Sequence, residues 1–333
     1  MAGSTETHHG AVAVPVADAD PTADWRGQFE SFAVGEPGRA ASLVVPVPDP
    51  DGWDRRDTVL DGVALLDGAK KRVAEVRAAS VRGLSHRAYG TVRQDEYGFR
   101  RTSDGRHLVI GVADGVSSGK HSHRAALIAA RKGVEMLARA LRSTGPETFP
   151  WADFVRAVAN RIERSGRDRL ITKGVADAEG MSVREVAEHL ATTVLYAVVD
   201  LVPVNGAHDV HVVSVGDTSA WVLRAGGRWE PLEAVKNDGA ELHSSSVQAL
   251  PMVPGTAPVP VRTTVAPGEA LVVMTDGIGD PLGHGTGAVG RFLTDVWSTP
   301  PASGLEFAAH VGFSRKSFDD DRTAVAFWPV ARA

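Results

Sequence analysis

Apolar residues in this chain follow two rhythms. Short unbroken runs occur at HLVIGVA (107–113), TTVLYAVV (192–199), DVHVVSV (209–215), SAWVLR (219–224), PVRTTV (260–265), ALVVMT (270–275) and TAVAFW (323–328). Their length and β-branched content predict buried strands, several of them separated by Gly-Asp or Gly-Gly turns. Other stretches repeat at helical spacing. Leu127, Ala130, Val134, Leu137 and Leu141 form one stripe over 121–142, and Trp151, Phe154, Val155, Val158 and Ile162 another over 150–164. Helices are also expected over 286–297 and 302–312, and a short one over 69–79 (AKKRVAEVRAA).

Strands and helices thus come in blocks and not in strict alternation. That pattern predicts an α+β chain with antiparallel sheets and argues against a doubly wound parallel sheet. Many neighbouring strands joined by short turns suggest two sheets packed face to face with helices outside. Residues 1 to about 50 are rich in Ala, Pro, Asp and Gly and lack periodicity, so they read mainly as a flexible arm, whose Trp25, Phe29 and Phe32 could dock on the body. The expected division is an N-terminal extension, partly flexible, over 1–75 and one domain over 76–330.

Composition narrows the function classes. The chain has 333 residues, is 43% hydrophobic and 23% charged, and carries a net charge of -5. It can bury a sizeable core, and it has no charge block suited to nucleic acid or an anionic membrane. It contains no cysteine, which excludes a disulfide scaffold, thiolate metal sites and cysteine nucleophiles. No signal peptide or apolar run of membrane-spanning length is evident, so a cytoplasmic monomer is expected.

Three aspartates fall where predicted strands meet turns. Asp114 ends HLVIGVA and precedes Gly115; Asp276 ends ALVVMT and precedes Gly277; Asp320 lies in DDDRT before the last strand. Carboxylates delivered by different strands suit Mg²⁺ or Mn²⁺, which take oxygen ligands and keep several waters. Glycine after the ligand lets the backbone approach and offer a carbonyl. The plainer reading of any single Asp-Gly pair is a turn.

Five blocks in order resemble the metal-dependent serine/threonine phosphatases of the protein phosphatase 2C type. They are GLSHRAYGTVRQDEYGF (83–99), VIGVADGVSSGKHSHRAA (109–126), VVSVGDTSAWVLRAGGRWEPL (212–232), VVMTDGIGDPL (272–282) and DDDRTAVAF (319–327). The first resembles a bacterial subfamily with G-x-S-H and then Q-D. The resemblance implies a four-layer αββα sandwich with two Mn²⁺ or Mg²⁺ ions at one end. It implies that Asp114 bridges both ions, that Gly115 gives its carbonyl to one, and that Asp276 and Asp320 hold the other. Asp95 is implied to hold water on the metal. The implied reaction is attack by a metal-activated water on a phosphoserine or phosphothreonine of a protein substrate, with no phospho-enzyme.

The sequence also departs from the family. Gln94 stands where many members have a glutamate ligand, which removes one negative charge. The usual phosphate-binding arginine has no counterpart at its spacing; His86 is the candidate, with Arg87 and Arg93 nearby, and His86 could also protonate the leaving group. Glu188 falls where some bacterial members bind a third metal, although a solvent-facing glutamate fits as well. Gly216-Asp217 matches a structural turn. These departures motivate a rival reading, a phosphatase-fold binding module with weak or no turnover. A further alternative is an α/β-hydrolase-type esterase, since Gly115-Val-Ser117-Ser-Gly119 fits a nucleophile elbow, with Asp276 and His310 following in order. None of the matched motifs lies in residues 1–50, so that stretch is expected to be dispensable for the chemistry.

Overall fold

A computed structural model describes residues 32–35, 56–232 and 248–331. Two antiparallel sheets stack face to face. The first takes β1 (Thr58–Leu66), β2 (Arg72–Val81), β7 (Ser219–Leu223), β8 (Trp229–Pro231), β10 (Ala270–Met274) and β11 (Arg322–Pro329) in the order β1-β2-β11-β10-β7-β8. The second takes β3 (Glu96–Arg101), β4 (His107–Gly115), β5 (Thr192–Asp200), β6 (His208–Val215) and β9 (Val261–Val265) in sequence order.

The unbroken apolar runs are strands buried on both faces, as expected of inner layers. In β10, Leu271 and Val273 enter the core between the sheets, while Ala270, Val272 and Met274 pack outward under helices. The five-stranded sheet is covered by α2 (Ser122–Leu127), a π-helical turn (Ile128–Gly133), α3 (Val134–Ala140), α4 (Trp151–Thr172) and α5 (Val183–His189). The six-stranded sheet is covered by α6 (Asp276–Leu282), α7 (Ala288–Trp297) and α8 (Gly304–Val311). One further short helix, α1 (Leu84–Tyr89), follows β2. The expected four-layer αββα architecture is the one observed.

Two local expectations fail. The stretch 69–79 is not helical: most of it is β2, paired with β1 on one side and β11 on the other. Its spacing of Val73, Ala74, Val76, Ala78 and Ala79 is compatible with either element, and pairing decides. The expected boundary at 75/76 therefore falls inside β2, with β1 still earlier as an edge strand. Residues 32–35 are also built into the body: Ala33 bridges Ser314, and Val34 is buried. Phe32 packs against Phe292 and His310. Trp25 and Phe29 lie outside the described residues.

Tyr196 on β5 is fully buried and its hydroxyl donates to the carbonyl of Ala129 in the π-helical turn (2.7 Å). A side chain that reaches into the helical ladder fits a local break in its regular bonding. Tyr196→Phe should lower unfolding free energy by about 1–2 kcal/mol, because the buried carbonyl loses its donor. The check is the urea midpoint at unchanged slope.

Candidate active site

One end of the sandwich gathers carboxylates from both sheets. Asp114 lies in the last turn of β4, paired with Thr193 of β5. Asp95 directly precedes β3, Asp276 opens α6 just after β10, and Asp320 lies two residues before β11. Thr275, between β10 and α6, donates its hydroxyl to Asp95 Oδ2 (2.8 Å). The same Thr275 oxygen accepts from the Thr323 amide (3.1 Å). Asp95 in one sheet is thus tied to β10 and β11 in the other.

The Asp-Gly pairs do more than turn the chain. A Cβ on Gly115 would lie 2.9 Å from the Gln94 carbonyl oxygen and 2.8 Å from the Ser122 carbonyl carbon. On Gly277 it would lie 1.9 Å from the Asp321 carbonyl oxygen. Both glycines allow backbone segments to close on the cluster where any side chain would hold them apart.

The electrostatics follow from that closure. Burial pushes the Asp95 and Asp114 carboxyls well above the ordinary range, and neighbouring carboxylates push them further: Asp321 and Asp320 on Asp95; Asp95, Asp276 and Asp320 on Asp114. Burial and the Asp320 charge raise Asp276 to about 6, and burial raises Asp320. Asp114 is in hydrogen-bonding contact with both Asp95 and Asp276. Carboxyls that close can share contacts only by holding protons or a cation.

Asp321 braces the site. Its Oδ1 accepts from the Gly83 amide (2.7 Å) and its Oδ2 from the Gln94 amide (2.5 Å). His86 Nδ1 lies 2.9 Å from Oδ1. Ligand atoms of His86, Asp320 and Asp321 fall within 4.8 Å of one another, but Asp321 is already committed to these donors. For His86, burial alone lowers the pKa; the bond to Asp321 and the charges of Asp321, Asp320 and Asp95 outweigh it and the net shift is upward.

The other sequence candidates sit as follows. Arg87 pairs with Asp57 (2.6 Å). Arg93 is buried, donating to Ser80 and to the Asp95 carbonyl. Glu188 is exposed in the last turn of α5. The acids that add to the field at Asp276 are Asp320, Asp217 and Asp280, and Asp217 was read from sequence as only a turn residue. Asp321 was missed as a brace because it reads as one of three equivalent aspartates in DDD. Gln94 Oε1 is buried and has no hydrogen-bond partner among the described residues. Ser117 is exposed after β4, while His310 is buried in α8 beside Phe32 and Phe292. Among the described residues every pair of strands is antiparallel, so the parallel sheet of an esterase is absent there.

The protein phosphatase 2C family profile matches residues 82–309. The chain belongs to the protein phosphatase 2C family. Protein phosphatase 2C enzymes are metal-dependent protein serine/threonine phosphatases; Asp95, Asp114 and Asp276 lie inside the matched stretch and Asp320 lies beyond it. Among solved structures, it is similar to the phosphatase domain, with a regulatory-domain fragment, of the cell fate determinant SpoIIE from Bacillus subtilis (12% identity, 83% of this chain and 70% of that chain, TM-score 0.47). It is similar also to RsbX in complex with magnesium (10%, 82% and 100%, TM-score 0.46). A third is the catalytic domain of the serine/threonine protein phosphatase PstP with two manganese ions (16%, 78% and 99%, TM-score 0.45). No curated protein sequence matches the chain. Among the described residues, no helix is long and apolar enough to cross a membrane.

The raised carboxyls generate a pH prediction. In the metal-free folded chain they hold protons that the unfolded chain has released, so their contribution to stability falls as pH rises through the folded pKa values. A divalent cation such as Mn²⁺ must displace those protons, and its binding tightens as they leave. The gain in Tm on adding Mn²⁺ should therefore grow between about pH 5.5 and 7.5. Thermal melts with and without the ion check this; an equal gain at every pH contradicts it.

Proposed function

We propose that the chain hydrolyses phosphoserine and phosphothreonine in proteins using two Mn²⁺ or Mg²⁺ ions held by this cluster. The observation that carries the reading is the set of carboxyls gathered from both sheets, Asp95 buried and Asp114, Asp276 and Asp320 half-buried, each raised by burial and by neighbouring carboxylates. All-oxygen donors of that kind fit a hard cation. The orphaned Gln94 Oε1 adds a neutral oxygen that the hydration of an ion would satisfy.

In this reading Asp114, the Gly115 carbonyl, Asp276 and Asp320 would hold the ions. When bound, the ions acidify water and draw charge from the phosphoryl group. Asp95 orients the attacking water and accepts its proton, with Thr275 fixing the carboxyl's rotamer. His86, held through Nδ1 by Asp321, presents Nε2 to a phosphoryl oxygen or to the departing alkoxide. Arg87, engaged by Asp57, serves substrate only by leaving that pair. A third ion at Glu188 has only its sequence position in favour.

Asp114→Asn, Asp276→Asn and Asp320→Asn should each nearly abolish turnover of a phosphopeptide, Asp114→Asn most severely. Activity should require Mn²⁺ or Mg²⁺, vanish in excess EDTA, and survive fluorophosphonate treatment without labelling of Ser117. A near wild-type rate from any of the three variants at saturating Mn²⁺ removes that residue from the ligand set. Tight phosphopeptide binding without turnover would favour the binding-module reading instead, for which the neutral Gln94 is the specific motive.

His86→Ala should raise KM for a small phosphoester more than it lowers kcat, since one charged hydrogen bond to bound phosphate is lost. If His86 is the proton donor, kcat falls instead and the basic limb of the pH profile flattens. Steady-state kinetics over about pH 6–9 separate the two, and unchanged constants would exclude both roles.

A further inference from the structure

Of the four clustered aspartates, Asp320 is held most lightly. Asp114 is within a strand, Asp276 opens a helix directly after one, and Asp95 is gripped by Thr275. Among the described residues, the Asp320 carboxylate accepts from the amide of its own neighbour Asp321 alone (2.8 Å). It is carried on the loop that joins α8 to β11, so its position depends on how that loop is fixed.

The downstream end of the loop is well fixed. Ser85 donates its amide to the Asp319 carbonyl (2.9 Å), and Arg322 donates to the Phe318 carbonyl while its guanidinium stacks 4.7 Å from the Phe313 ring. The middle closes on itself: Arg315 and Phe318 form an antiparallel bridge, with Ser317 at φ 68°. A non-glycine residue there is uncommon and persists when its surroundings hold it.

The upstream end is held by residues from the far end of the chain. Ala33 forms a parallel bridge with Ser314. The Val34 amide donates to the Ser314 carbonyl (3.0 Å), and the Ser314 amide donates to the Phe32 carbonyl (2.6 Å). Arg315 adds a bond to the Val34 carbonyl (3.2 Å). Val34 is buried in the core beneath the six-stranded sheet, and the Phe32 ring sits 5.7 Å from that of Phe292 and 5.5 Å from that of His310. Gly35 turns the chain away at φ 76°, and a Cβ there would strike the Arg315 guanidinium.

We propose that residues 32–35 are a strap that positions Asp320, and that they thereby set how tightly the site holds its divalent cation. The proposal rests on the metal-site reading above. The strap contributes no ligand: it restricts the entry to the loop, and the turn at 315–318 passes that restriction to Asp320. Residues 1–50 are then not uniformly dispensable, because four of them belong to the support of the site.

The test uses the full-length double variant Phe32→Ala/Val34→Pro, which removes the docking ring and the Val34 amide donor. Calorimetric titration with Mn²⁺ should show binding weakened about 3- to 10-fold, at or below the low end of what a supporting partner of a metal ligand contributes. The kcat at saturating Mn²⁺ should stay within about twofold, since the ligands themselves are intact. In the metal-free protein, hydrogen exchange at the Phe318 and Asp321 amides should quicken, although neither bonds to the strap. Leu293→Ala, which removes a buried side chain of α7 from the same helical layer while leaving the strap's backbone bonds to the loop intact, should leave both readouts unchanged. Unchanged Mn²⁺ affinity and unchanged exchange at those amides would overturn the proposal, as would an equal effect from Leu293→Ala. If wild-type protein binds no Mn²⁺, the metal reading fails by itself; the exchange measurement then still decides whether the strap orders the loop.

Discussion

The repulsion among buried carboxyls is the constraint around which this end of the molecule is organised. Asp95 and Asp114 come from the five-stranded sheet, Asp276 and Asp320 from the six-stranded one. Left alone, such groups would separate or stay protonated. The fold limits separation by anchoring two of them to paired backbone, the β4–β5 ladder under Asp114 and the β10–β11 ladder behind Asp276, with close backbone approaches at Gly115 and Gly277, while Asp320 rides on the loop before β11. The cost of this packing is met elsewhere, by the three continuous apolar layers. What remains is a site whose mutual repulsion is relieved only by protons or by a cation.

A polar seam behind the cluster makes the two sheets act as one support. Arg93, ahead of β3, donates to Ser80 on β2; Ser80 and Thr323 on β11 share a hydroxyl bond (2.5 Å); Thr323 donates its amide to Thr275, and Thr275 donates to Asp95. Starting at Arg93 and ending two residues away at Asp95, the seam crosses the sandwich and returns. Asp321 ties Gly83 and Gln94 together in the same region. Buried polar groups connected in this way resist displacement, since breaking one bond leaves another group unsatisfied.

Much of this was legible in the sequence, for identifiable reasons. Strands buried on both faces write themselves as unbroken apolar runs, so β4, β5, β10 and β11 were readable within a residue or two. Edge and short elements were not. β1 alternates only weakly because much of it is exposed, and β2 imitates a helix until its two partners are known. The seven-residue α5 carries a capping box at Ser182 and Glu185, a local signal that could have located it. Asp114 and Asp276 stood out because an apolar strand precedes and a glycine follows each, Asp320 because it stands just before a strand, and Asp95 only through the family resemblance. Asp321 did not, since its role consists of accepting bonds from Gly83 and Gln94, more than 200 residues away. The docking of Val34 on Ser314 is likewise a long-range pairing that local pattern cannot encode.

The placement of arginines shows the same logic from the opposite side. Arg87, Arg93 and Arg322 all lie on segments that reach the cluster, and any of them could have neutralised it. Each is directed elsewhere. Arg87 pairs with Asp57, Arg93 with Ser80, the Asp95 carbonyl and Glu96, and Arg322 with the Phe318 carbonyl and the Phe313 ring. Burial lowers Arg322 to about 10, and the charges of Asp320, Asp319 and Asp321 offset only part of that. A guanidinium paired with Asp114 or Asp276 would stabilise the metal-free fold and compete with the cation for the same oxygens. Directed as they are, these three guanidiniums do not offset the carboxylates, and the folded cluster keeps its mutual repulsion.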